Sequence, residues 1–356
     1  MIKWLLVCMP AAIAASWFEV DPSVVFALSL AAIIPLVEVM GDATEQLAAK
    51  LGPTIGGLLN SSLNNAPELI IGIVALSHGL GSVVKASLTG SILVNLMIGL
   101  GLALIFGGLK FGEQKFDRHN LRIGGSMLMI CIFCFVVPAV FEIGTPAGTR
   151  GLSIEISVIL LVIYILNVFI TLVSGRKGES ITPDEELDES NPPSPVWKSL
   201  SILAAAAVAL AMVSDTLSES LGPTAKALGL SDTFSGIVLL GGVGGIGEVL
   251  SAVRFARSGR PSLVLSVTVG STIQMVLLVA PLLVFGGLLL GQPMDLKFTS
   301  FEVVSIVLAV LIAKELTKDG EANWMEGILL IATYAILAIG FYNLPDMTAA
   351  AAIVKP

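Results

Sequence analysis

The chain has 356 residues, of which 55% are hydrophobic and 13% charged, with a mean hydropathy of +0.93 and a formal net charge of −8. A soluble domain carries roughly a quarter charged residues, so this composition excludes an ordinary water-soluble globule and points to a lipid bilayer. The acidic balance gives no footing for nucleic acid as a partner.

In chain order, apolar stretches of helical length run over residues 4–18, 24–50, 53–77, 83–108, 121–141, 152–174, 197–218, 233–257, 261–289, 298–315 and 324–343. Most exceed the roughly 20 residues that cross a bilayer as a helix. They show no polar/apolar alternation, and backbone in lipid must be satisfied within the segment, so helices are predicted rather than a β-barrel. The fold class is an all-α polytopic membrane protein with eleven transmembrane helices.

The first stretch fits an N-terminal transmembrane helix over residues 1–20. It also fits a cleaved signal peptide, since Lys3 precedes an apolar run reaching Ala12-Ile13-Ala14. Cys131-x-x-Cys134 and Cys8 lie inside apolar stretches and read as packing residues. Residues 176–191 hold Glu179, Asp184, Glu185, Glu186, Asp188 and Glu189 against Arg176 and Lys177. With its Ser and Pro content, residues 175–196 read as a solvated acidic linker or a cation-attracting accessory segment.

With eleven spans, Lys85, Arg150, Lys226, Lys297 and Lys355 fall on one side and the other fourteen of the nineteen Lys and Arg residues on the opposite side. The positive-inside rule makes the crowded side cytoplasmic. The N terminus and the linker are then cytoplasmic, and the tail over 346–356 is extracytoplasmic. Trp4, Trp17, Trp197 and Trp324 all fall at segment ends, where interfacial aromatic anchors sit. Short loops point to a prokaryotic plasma membrane, or a vacuolar membrane in a eukaryote. No residue pattern sets an oligomeric state.

Residues 24–174 and 197–345 repeat one another. At an offset of 180 residues Gly56 matches Gly236, Glu68 matches Glu248, Gly79 matches Gly259, and Gly90-Ser91 matches Gly270-Ser271. Asp42 and Asp215 correspond more weakly, at an offset of 173. Each unit has five spans, an odd number, so the second copy crosses the membrane in the opposite sense. Inverted repeats of this kind build a binding site near the midplane, at interrupted helices, and support alternating access.

In the first copy, Asn60, Asn64 and Glu68 recur at four-residue steps on one helical face, with Asn65 beside them. Pro67 has no amide donor, which frees the Leu63 carbonyl. In the second copy the run Gly241 to Gly247, including Gly244 and Gly245, permits local unwinding just before Glu248. Ser91, Asn95, Ser271 and Gln274 offer further oxygens from the following helix of each copy. Carboxylates, amides, carbonyls and hydroxyls are the hard ligands that Ca²⁺ or a similar divalent cation takes. Two ionised carboxylates in lipid are costly, so the pair should hold either one divalent cation or roughly two protons, titrating together. Mutual exclusion at one site, with alternating access, is antiport.

The remaining acids read differently. Glu38, Asp42, Glu45, Asp215 and Glu219 are either vestibule residues or solvated, and Glu302 and Glu315, near segment edges, are expected to be solvated. His78 and His119 lie in loops and are not expected to be ligands. The run Gly242-x-Gly244-x-x-Gly247 lacks a preceding strand and is no dinucleotide site. The Asn60-Ser61-Ser62 sequon lies within a span. With no His-Glu-x-x-His and no nucleophile and base pair, an enzyme is not indicated. No cofactor is implied beyond the transported ions.

The motifs Gly57-Leu58-Leu59-Asn60 through Asn65-Ala66-Pro67-Glu68-Leu69-Ile70, then Ala86 to Asn95, resemble the first signature repeat of the cation/proton exchangers within the Ca²⁺/cation antiporter superfamily. Gly247-Glu248 and Val269 to Gln274 resemble the second, and Asp319 to Gly327 resembles that branch's opening of the last helix. The resemblance implies eleven helices, the first outside two inverted five-helix halves joined by an acidic linker, and Ca²⁺/H⁺ exchange at Glu68 and Glu248. The chain departs from the family's Gly-Asn-x-x-Glu pattern. Asn64 replaces the first glycine, Gly245 the second asparagine, and Val249 the His that often follows. Na⁺/Ca²⁺ exchange and a passive cation channel are the competing functions.

Overall fold

The computed structural model describes residues 2–51, 53–140, 146–174 and 195–344. The acidic linker and the C-terminal tail fall outside the described residues. A single 3₁₀ segment, Ile2–Val7, leads into α1, Cys8–Trp17. The next helices are α2, Pro22–Leu51; α3, Pro53–Asn64; α4, Ala66–Ser77; α5, Gly81–Phe111; α6, Arg118–Val140; and α7, Pro146–Ser174. After the linker come α8, Val196–Leu228; α9, Asp232–Gly244; α10, Ile246–Arg257; α11, Pro261–Leu289; α12, Ser300–Leu316; and α13, Trp324–Tyr342.

Among the described residues seven helices are long and apolar enough to cross a membrane, or eight if the bent pair α9–α10 forms one span. The shorter apolar helices Trp4–Trp17 and Ala66–Ser77 add to them. The third predicted stretch is interrupted at Asn65, and the eighth bends by 48° at Gly245.

Burial separates the inner helices from the outer ones. In α5 and α11, 72% and 61% of the most apolar window is buried, against 17% in both α7 and α13. Leu93, Leu96, Met97 and Leu100 of α5 share one core with Met275, Val276 and Val279 of α11. Ile159, Ile165 and Phe169 of α7 and Ile336 and Ile339 of α13 face outward, as lipid-facing side chains do. A second core joins Ile33, Leu36 and Met40 of α2 to Leu210, Val213 and Leu217 of α8. All four tryptophans are exposed, in keeping with interfacial anchoring.

Helix α8 continues ten residues beyond its predicted end at 218. The polar run there does not stop it, because Ser218 and Ser220 donate their hydroxyls to Ser214 and Thr216 carbonyls at 2.8 and 2.9 Å, within the helix itself. The stop is Gly229, whose left-handed φ of 66° closes the last turn.

Loops at each end are tied down by polar contacts. On the side predicted to be cytoplasmic, β1, Gln114–Lys115, pairs antiparallel with β2, Glu321–Ala322. On the other side the Lys85 ammonium donates to Asp295 Oδ1 at 2.8 Å and to the Lys297 carbonyl at 2.9 Å.

The expectation that Glu302 is solvated is corrected: it is 3% exposed. Its carboxylate folds back over the start of α12 and accepts from the Thr299 amide and hydroxyl, each at 2.8 Å, while Thr299 Oγ1 accepts from the Glu302 amide at 3.3 Å. This capping box satisfies a carboxylate that burial would otherwise strand. Thr299→Ala is expected to cost about 1–2 kcal/mol, read as a lower thermal unfolding midpoint in detergent. Glu315 is exposed, as expected.

Candidate cation site

The two interruptions lie 180 residues apart and adopt the same backbone conformation. Asn65 has φ −89° and ψ 7°, and Gly245 has φ −77° and ψ 5°. Pro67 occupies the first turn of α4, where its missing N–H costs no hydrogen bond, so it starts a helix rather than kinking one. The helices that follow also end alike. His78 and Ser258 cap α4 and α10, and Gly79 and Gly259 then turn the chain at φ 73° and 71°.

Each interruption puts a glutamate in the first turn of a new helix, Glu68 in α4 and Glu248 in α10. A carboxylate there faces the positive end of the helix dipole, while the last turns of α3 and α9 present carbonyls toward the same break. Both glutamates are buried, at 7% and 5% exposure. Both carboxylate oxygens of Glu68 and one of Glu248 have no hydrogen-bond partner among the described residues. A buried carboxylate in that condition is expensive unless it meets a cation or takes a proton.

Glycines bring the two halves into contact. A Cβ on Gly244 would lie 3.3 Å from Glu68 Cγ and 3.2 Å from Ser91 Oγ, and one on Gly245 would lie 3.1 Å from Asn95 Oδ1. The last turn of α9 therefore sits directly on Glu68, Ser91 and Asn95. Ser91 Oγ donates to the Gly241 carbonyl at 3.4 Å. Asn95 is fully buried, and neither its amide oxygen nor its nitrogen has a hydrogen-bond partner among the described residues. On the opposite flank Asn65 Nδ2 donates to Gln274 Oε1 at 3.0 Å, linking the first break to α11.

Other predicted residues are less engaged. Ser271 is buried on α11 and Asn64 half-buried at the end of α3, with no side-chain hydrogen bond to the rest among the described residues. The side chain of Asn60 lies outside the described residues. His78 Nε2 lies 2.7 Å from Asp215 Oδ1, an exposed pair at the end of α4. Glu45 pairs at 3.5 Å with Arg254, and Glu219 is exposed.

Glu38 is a residue that the sequence left undecided. Its Oε2 is buried without a hydrogen-bond partner among the described residues, and its neighbour Val37 packs on Gly247, beside Glu248. The packing of α2 against α10, which brings it there, has no local signal in the sequence.

Turns of π-helix surround the breaks, at Val94–Gly99 in α5, Ser235–Leu240 in α9, and Ser266–Gly270 and Met275–Val279 in α11. Such widened turns recur at functional sites, where they loosen a helix's own hydrogen bonding. Among the described residues no three His, Cys, Asp or Glu side chains converge as a metal cluster. A cation between Glu68 and Glu248 would thus complete its shell with amide, hydroxyl and carbonyl oxygens, a donor set suited to Ca²⁺. Asn65→Ala removes one such oxygen and the link to Gln274. Losing about 1 kcal/mol is expected to weaken calcium binding about fivefold, measured by equilibrium binding of radioactive calcium.

Known proteins resemble this chain over most of its length. The model of the sodium/calcium exchanger protein family matches residues 22–173 and 198–343. The chain is 36% identical over 358 residues to the Ca²⁺/H⁺ antiporter of Aphanothece halophytica, covering 96% of each chain. It is 37% identical over 344 residues to the Ca²⁺/H⁺ antiporter ChaA of Bacillus subtilis, covering 94% of this chain and 97% of that one. The solved structure of native YfkE superposes with a TM-score of 0.84 at 34% identity, covering 97% of this chain and all of that one.

Proposed function

This chain belongs to the sodium/calcium exchanger protein family, and we propose that it exchanges Ca²⁺ for H⁺ across the membrane at a site built on Glu68 and Glu248. The observation that carries this reading is the pair of buried glutamates, each opening a helix inside the bundle, with oxygens that no described protein group satisfies. One divalent cation cancels both charges; without it each carboxyl takes a proton. Loading by one excludes the other, and that exclusion is the coupling. Relatives at 36–37% identity that are named Ca²⁺/H⁺ antiporters support the choice of ions.

Around the two carboxylates, Asn64, Asn65, Asn95, Ser91, Gln274, Ser271 and Asn60 supply oxygens, with the backbone at Gly244 and Gly245. The matched breaks at Asn65 and Gly245 support eleven helices, arranged as an N-terminal helix over 1–20 and two inverted five-helix units, 24–174 and 197–345. An acidic cytoplasmic linker over 175–196 joins them, and the C-terminal tail is extracytoplasmic. Alternating access follows when one half rocks against the other around the shared site.

In proteoliposomes an imposed pH gradient should drive uptake of radioactive calcium, and a Na⁺ gradient of equal size should not. Uptake driven by Na⁺ alone would replace the reading with Na⁺/Ca²⁺ exchange. Uptake without either gradient would indicate a channel.

A further inference from the structure

A cavity of about 320 Å³ opens between α6, α11 and α12, away from Glu68 and Glu248. Its rim carries Arg118, Arg122, Lys314 and Lys318, with Asp117 the only acid lining it. Lys318 is partly committed to Glu315 at 3.4 Å, whereas Arg118, Arg122 and Lys314 make no ion pair among the described residues. All four basic side chains are exposed. Such a rim repels a divalent cation, so this opening is not the calcium path.

The floor has the opposite character. Gly124, Gly125, Leu128, Leu265 and Val269 line it, and all but Val269 are buried. The adjacent glycines let Val269 of α11 and the Lys314 stem lie close against α6 beside this slot. A Cβ on Gly124 would lie 3.2 Å from Val269, and one on Gly125 would lie 3.5 Å from the Lys314 side chain. From Asp117 to Leu128 the lining follows α6 for about 16 Å at 1.5 Å per residue, roughly half the thickness of a hydrocarbon core.

A cationic rim at the predicted cytoplasmic edge above an apolar slot matches one molecule that bears a phosphate and a hydrocarbon chain. We propose that this cavity is a binding site for an anionic phospholipid, its phosphate held by Arg118, Arg122 and Lys314 and an acyl chain seated over Gly124 and Gly125. Arginine presents a planar fork that pairs with two phosphate oxygens, and lysine adds a point charge. The chain's own acidic linker carries the complementary charge, but between Gly175 and Pro195 its only aliphatic side chains besides proline are Ile181 and Leu187, a poor match for an apolar floor. The site is separate from ion exchange and does not depend on which ion is coupled.

The test is native mass spectrometry of the full-length protein in detergent with dioleoylphosphatidylglycerol or dioleoylphosphatidylcholine. The wild type should retain the anionic lipid in preference to the zwitterionic one. Arg122→Glu with Lys314→Glu should lower that retention roughly tenfold or more, the scale expected for losing two basic contacts to an anionic headgroup. The charge-conserving pair Arg122→Lys with Lys314→Arg should retain it, which separates charge from misfolding. Gly125→Leu should also reduce retention by filling the floor. Equal retention in the wild type and the charge-reversed protein would overturn the site. So would retention that appears only after the six linker acids are neutralised, which would identify the linker as the occupant.

Discussion

Glu68→Gln and Glu248→Gln are each expected to abolish pH-driven calcium uptake while leaving the protein folded. Glutamine keeps the shape of the side chain and removes both its charge and its capacity to carry a proton. Removing one partner from a buried charge arrangement costs about 3–5 kcal/mol, which at 1.4 kcal/mol per factor of ten amounts to a loss of roughly 10²–10⁴ in cation affinity. Stability should not fall with it, because among the described residues both carboxylate oxygens of Glu68 and one of Glu248 have no partner that the substitution would strand. The readouts are uptake in proteoliposomes and the thermal unfolding midpoint of the same preparations. Wild-type uptake in both variants would remove the two glutamates from the mechanism.

Gly90→Ala is expected to destabilise the protein strongly. A Cβ at Gly90 falls on the Ile237 carbonyl, and one at Gly241 would lie 2.6 Å from the Gly90 Cα. Helices α5 and α9 therefore cross backbone to backbone, the close approach that small residues allow in membrane bundles. The obstruction is main chain and cannot rotate away. Overpacking of this kind costs about 3 kcal/mol, and it moves the last turn of α9, with Gly244, off Glu68. Calcium affinity and thermal midpoint should fall together. Gly222→Ala is the control: no atom lies within 4 Å of its Cβ position, so the better helix former should be neutral or stabilising by up to about 1 kcal/mol. Equal midpoints for the two variants would show that the crossing tolerates a methyl group.

Much of the site was legible because its signals are local. Pro67 and the run Gly241 to Gly247 mark the two helix breaks, and the same offset of 180 residues that pairs Glu68 with Glu248 separates Asn65 from Gly245, whose dihedrals match. The capping box at Thr299 was also written in the sequence, as Thr299-x-x-Glu302. Its acid lies near a segment edge, where solvation is the simple expectation, but the capping box folds the carboxylate back and buries it. Contacts between distant segments left no such trace. Neither the pairing of Asn65 with Gln274, nor the seating of Gly244 on Glu68, nor the β1–β2 pairing follows from periodicity, since each depends on how helices far apart in sequence pack. The π-helical turns are similarly silent. Val94–Gly99, apolar apart from Asn95, and the wholly apolar Met275–Val279 carry no residue pattern that marks a widened turn.

The central claim is that one calcium ion and the protons of Glu68 and Glu248 compete for the same oxygens. The most direct measurement is calorimetric titration of purified protein with Ca²⁺ in buffers of different ionisation enthalpy, which counts protons released per ion bound. Starting from the protonated site, calcium binding should release roughly two protons as the coupled pair gives way to the cation. Calcium binding of similar affinity that releases no protons would contradict the account.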